Sequence, residues 1–147
     1  MPLGPKTSSA GIVTAASVVL DASVLIRSGV EHEPQARTWT EAIEAGRWRG
    51  HVPELVYVEI ASALTQSVRA GLLEAHDAQE LLVGLVALPL RSHRLAKLAA
   101  ASLAIALEEG LSAYDASYVA LARALEAKLV TTDRRLAKAA PGSELLP

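Results

Sequence analysis

The chain has 147 residues, the length of one domain. A formal charge of −2 excludes a strongly basic nucleic-acid-coating protein. The absence of cysteine excludes disulfides, thiolate metal sites and a cysteine nucleophile. With 51% apolar residues, 28 alanines and 3% aromatics, the chain reads as helix-rich and closely packed on small side chains rather than disordered.

Residues 1–16 carry Pro2, Gly4, Pro5 and Gly11 among Ser and Thr. They are expected as a flexible N-terminal tail, leaving 17–147 as a single domain. The apolar stretch Ala10–Leu20 has one nearby base, Lys6, and stops at Asp21. It reads as a buried strand after a tail rather than a leader peptide. No run of about 18 uncharged apolar residues is present, so no membrane span is expected and the cytoplasm is the expected compartment.

Ser17–Leu20 is a β-branched apolar run and predicts a buried first strand. Ala22–Arg27 predicts a short helix that stops near Gly29. Pro34 opens a helix through about Ala45, ended by Gly46. Arg47–His51 is a loop or the entry to a second strand. Pro53 opens a helix to Arg69, closed by Gly71, and Glu74–Val86 predicts another. Leu88–Arg91 contains Pro89 and is at best an edge strand. His93–Glu109 and Ser112–Ala127 predict helices. Leu129–Thr132 predicts a strand, Arg134–Ala139 a helix stopped by Pro141 and Gly142, and Glu144–Leu146 a last strand. Short apolar strands alternating with helices argue for a mainly parallel sheet covered on both faces, an α/β/α sandwich.

Ligands of open parallel sheets bind beyond the carboxyl ends of the strands. Asp21 and Asp133 stand at two such ends, although each also suits the N-cap of the helix that follows. Glu59 is harder to place as structure. At about 100° per residue it falls inside the apolar arc of Leu55, Val56, Ile60 and Ala63. A carboxylate there is costly unless paired, metal-bound or snorkelling outward. Asp115 fits a capping box opened by Ser112, which does not stop it from facing a cleft. Brought together, Asp21, Glu59, Asp115 and Asp133 could not all ionise unaided, because like charges raise one another's pKa. A hard cation such as Mg²⁺ or Mn²⁺ would resolve this with oxygen ligands, and the implied chemistry is metal-assisted phosphodiester hydrolysis.

Four segments in order carry a resemblance: Val18–Ile26, Pro53–Leu64, Ser112–Ala122 and Leu129–Leu136. Together the chain resembles a PIN-domain ribonuclease, most closely the VapC-type toxins of toxin–antitoxin pairs. The resemblance implies a PIN-like sandwich on a five-stranded parallel sheet. It implies that Asp21, Glu59, Asp115 and Asp133 are the catalytic and metal-binding acids, and that the activity is Mg²⁺- or Mn²⁺-dependent endoribonuclease cleavage. Ser23 and Thr131 match hydroxyl positions beside the acids, where local capping would also account for them. Leu136 stands where an aromatic residue is common in the family.

For RNA contact the candidates are Arg47, Trp48 and Arg49, where cations flank an aromatic, and Arg134 and Arg135, which follow Asp133. Each could equally be a solvated or core-packed side chain. Arg91, Arg94 and Lys97 form a looser cluster. The abundant apolar surface suggests a homodimer, and the resemblance implies a cognate antitoxin. Two other readings are a PIN-type RNA-processing nuclease without a toxin role and, in a different class, a non-catalytic RNA-binding PIN-like module. A receiver-like phosphoacceptor lacks support, because no adjacent acids follow the first strand and Lys128 precedes its strand.

Overall fold

A computed structural model describes Gly4 and residues 14–147. Apart from Gly4 and residues 14–16, the expected tail lies outside the described residues, and Ala16 already opens the first strand, β1 (Ala16–Leu20). Val18, Val19 and Leu20 are completely buried. Successive strand residues face opposite sides, so the sheet is covered on both faces, as its unbroken apolar run requires.

The other strands are β2 (Trp48–Pro53), β3 (Arg91–His93), β4 (Lys128–Thr131) and β5 (Glu144–Leu145). All pairs are parallel and the order is β3-β2-β1-β4-β5. The chain therefore winds outward from β1 in one direction and then the other. The junction of β1 and β4 is the switch point where such sheets open a crevice at their carboxyl edge.

The helices are α1 (Ala22–Ile26), α2 (Pro34–Glu44), α3 (Val56–Arg69), α4 (Ala75–Val86), α5 (Leu95–Glu109), α6 (Ala113–Leu125) and α7 (Arg134–Ala139). Helix α6 packs against β1, β2 and β4 and also against α5. Its residues Ala116–Leu121 are buried without a break, and Ala122 extends the run. Small side chains let a helix sit this close to its neighbours. Among the described residues no helix is long and apolar enough to cross a membrane.

Three expectations shift. Helix α1 does not stop at Gly29; it runs into a π-helical turn, Arg27–Glu31, and ends at His32 with φ 53°. A Cβ on Gly29 would meet Leu85 of α4 at 3.2 Å, so this glycine serves close packing rather than termination. Pro53 is the last residue of β2, not the first of a helix, and α3 begins at Val56. Proline's fixed φ suits either place, and here the N–H of Glu54 carries on the bonding to His93 O at 3.0 Å. The edge strand lies at Arg91–His93, beyond the Pro89 region where it was expected, and α5 starts accordingly at Leu95.

Candidate active site

Asp21 follows β1 directly, and its backbone N–H donates to Val130 O of β4 at 3.0 Å. Its side chain makes no capping bond to α1. Instead Oδ2 accepts two hydroxyl hydrogen bonds, from Ser23 and from Thr131, each at 2.8 Å. The residue is only 8% exposed. Burial pushes the Asp21 carboxyl above its ordinary range, the two hydroxyls pull it back, and the charge of Asp115 pushes it up again. The same hydroxyls tie the loop together. Thr131 Oγ1 accepts from Asp133 N at 3.0 Å, and Ser23 Oγ from Thr132 N at 3.4 Å.

Glu59 sits in the first turn of α3, half-buried, beside the fully buried Ile60. Its Oε1 accepts a hydrogen bond from the Tyr118 hydroxyl at 2.8 Å. Burial raises the Glu59 carboxyl, the Tyr118 bond lowers it, and Asp21 and Asp115 raise it further. Tyr118 is completely buried, and its own pKa is driven strongly upward by burial and by the charges of Glu59 and Asp21. It therefore stays a donor.

Asp115 lies in the first turn of α6, with its N–H bonded to Ser112 Oγ at 3.1 Å. This is half of the expected capping box. The carboxylate turns the other way, toward Arg135, with Oδ2 3.9 Å from Nη2. Asp133 does cap α7: Oδ1 accepts from Arg135 N at 2.7 Å, and Oδ2 lies 3.5 Å from the same Nη2.

The charge of Asp115 thus reaches Asp21 and Glu59, and that of Asp21 reaches Glu59, across β1, α3 and α6, and Arg135 links Asp115 to Asp133. Among the described residues, however, no three acid or imidazole side chains stand together as a ready ligand cage. The donor chemistry fits a hard divalent cation, since every candidate ligand is a carboxylate oxygen and two of those carboxyls are held at raised pKa.

The remaining candidates divide. Arg134 is exposed and lines a shallow cavity at the carboxyl edge with Thr132 and Leu145. Arg47, Trp48 and Arg49 are not brought to the acids. Trp48 opens β2 and pairs with Ala16 at the start of β1, the opposite edge of a parallel sheet. Its ring packs edge-on against Trp39 with centroids 5.2 Å apart. Arg49 Nε donates to Ala15 O at 3.0 Å. Of the two readings of Arg47–His51, a loop or the entry to a second strand, the structure has the strand entry, with Trp48 packed against the core.

Sequence reasoning missed Tyr118. The available signal was its spacing, three residues after Asp115 on the same helix, which puts both on one side of α6.

A parallel sheet wound in both directions from β1, with acids placed around its switch point, fits the PIN-like fold that the resemblance implies. The PIN domain model matches residues 18–141, and the chain belongs to that family. It is 33% identical over 126 residues to Ribonuclease VapC3 of Pyrobaculum aerophilum, covering 84% of this chain and 95% of that protein. It is 40% identical over 119 residues to Ribonuclease VapC9 of Mycobacterium tuberculosis, covering 81% and 87%. A toxin–antitoxin complex from Klebsiella pneumoniae shares the fold, with a TM-score of 0.64 at 18% identity over 86% of this chain and 95% of that one.

Proposed function

We propose that this chain is a Mg²⁺- or Mn²⁺-dependent endoribonuclease that acts in the cytoplasm as the toxin of a toxin–antitoxin pair. The family and the kinship with VapC ribonucleases support the reaction class. The observation that carries the reading for this chain is the buried Asp21 at the switch point, destabilised as an anion by burial and by Asp115. A buried carboxylate so placed has a use for a cation. The toxin–antitoxin complex of the same fold supports an antitoxin partner.

In this reading Asp21, Glu59, Asp115 and Asp133 together hold the cation. When bound, the ion supplies Lewis-acid stabilisation of charge building on the phosphoryl oxygens. The chain's own residues do the positioning. Ser23 and Thr131 fix the rotamer of Asp21 through two hydrogen bonds to one oxygen. Tyr118 fixes Glu59 from within the core. Asp133 caps α7 and roots Arg134 and Arg135 at the carboxyl edge, where RNA phosphates would approach.

The test uses the purified chain, free of antitoxin, on a pool of structured and single-stranded RNA with Mg²⁺, Mn²⁺ or EDTA. Asp21→Asn and Asp115→Asn run beside wild type. Cleavage that needs metal and is lost in both variants is expected, a fall of at least about a hundredfold given the usual cost of removing electrostatic stabilisation at a reacting centre. Cleavage that persists in both variants places the catalytic site elsewhere. RNA binding with no cleavage of total cellular RNA in any arm turns the chain into a binding module.

A further inference from the structure

We propose that Arg135 is a resident counter-ion that competes with the divalent cation for Asp115 and Asp133; the proposal rests on the metal reading above. Asp115 belongs to the first turn of α6 and Asp133 to the cap of α7. What joins these two carboxylates is one guanidinium nitrogen, 3.9 Å from one Oδ2 and 3.5 Å from the other. No other described cation pairs with either acid. A cation bound to the same two oxygens and this guanidinium cannot share the space, so one has to leave.

The arginine is built to leave. Its backbone is held, because Arg135 N donates to Asp133 Oδ1 at 2.7 Å, while its side chain is 67% exposed. Exposed ion pairs are weak, so displacement is inexpensive but not free. Arg134, next in the chain, forms no ion pair among the described residues and supplies an internal control. It carries the same charge at nearly the same place without touching the acids.

The experiment is Mn²⁺ titration by calorimetry of the full chain stripped with EDTA and free of antitoxin. Wild type, Arg135→Gln and Arg134→Gln are compared, with melting curves to confirm that each is folded. Arg135→Gln is expected to bind Mn²⁺ about three- to tenfold tighter than wild type, and Arg134→Gln within about twofold of it. The gap should narrow at high salt. Equal affinities for the two variants, or weaker binding by Arg135→Gln, overturn the proposal while leaving the metal site standing. Failure of all three proteins to bind Mn²⁺ overturns the metal reading and this proposal with it.

Discussion

Asp21 carries a conflict between stability and activity in a single side chain. It is buried, it accepts two hydroxyls, and its carboxyl is still held above the ordinary 3.8. The folded state therefore keeps this proton to higher pH than the unfolded chain does. Linkage then gives the sign: in metal-free protein, stability falls as pH rises from about the unfolded value through the raised one. Asp21→Asn keeps an acceptor for Ser23 and Thr131 and removes the charge. Without metal at neutral pH it should melt higher, by roughly 2–6 °C if the relief is about 1 kcal/mol. It should also lose most of the upward shift that Mn²⁺ gives wild type. Differential scanning calorimetry in EDTA and in Mn²⁺ reads both. A variant that melts lower than wild type in EDTA would show that the anion is already compensated by the protein.

Among the elements, β2 is the most instructive, because a polar chain crosses three strands through it. His51 Nε2 lies 3.1 Å from Ser17 Oγ on β1, and His51 Nδ1 lies 2.9 Å from His93 Nε2 on β3. One proton serves the bond between the rings, so each imidazole sets the tautomer of the other. Burial, then the neighbouring charges of His93, Arg91 and Arg49, lower His51 from 6.5 to about 4. As pH falls from 6.5 toward 4, the unfolded chain takes up a proton that the folded one refuses, and stability is lost. This slope runs opposite to that of Asp21. His51→Gln should flatten the loss between those pH values while lowering stability at pH 7, as read from urea midpoints across the series. An unchanged slope would place the acid sensitivity elsewhere.

The same scale shows what the sequence makes legible. A β-branched run closed by an acid marks β1 and β4 directly, because strand, carboxyl edge and ligand position are adjacent in the chain. Glu59 was legible as an inward-facing acid because its arc is local to α3. Its partner Tyr118 was not, because 59 positions separate them and only the fold brings them together. Gly29 looked like a stop signal, yet its partner is Leu85 on α4. Pro53 suited a helix start and a strand end equally well, so local geometry could not decide. Arg47–Arg49 read as an aromatic flanked by cations, whereas pairing with β1 turns Trp48 into packing.

For the whole molecule, exposed apolar side chains gather on the helical exterior. Leu103 and Leu107, one turn apart on α5, are 60% and 78% exposed. Such a stripe fits self-association, which we expect from this chain. Sedimentation velocity over a concentration series should show a dimer. The Leu103→Lys, Leu107→Lys double variant should weaken it at least about tenfold with little change in melting. A wild type that stays monomeric throughout removes the homodimer.

The central pairing of β1 with β4 also governs when the protein becomes dangerous. Asp21 is made early, but Thr131, which anchors it, lies 110 residues later. Long-range strand pairing is slow to form and waits on the whole intervening chain. A polypeptide emerging from the ribosome therefore carries its first acid for most of its synthesis without the strand that fixes it. On the proposed function, a chain abandoned before β4 lacks both Thr131 and Asp133 and so has no complete acidic site. The site comes together only once β4 has paired with β1, which leaves an interval in which a partner already present can reach the chain first.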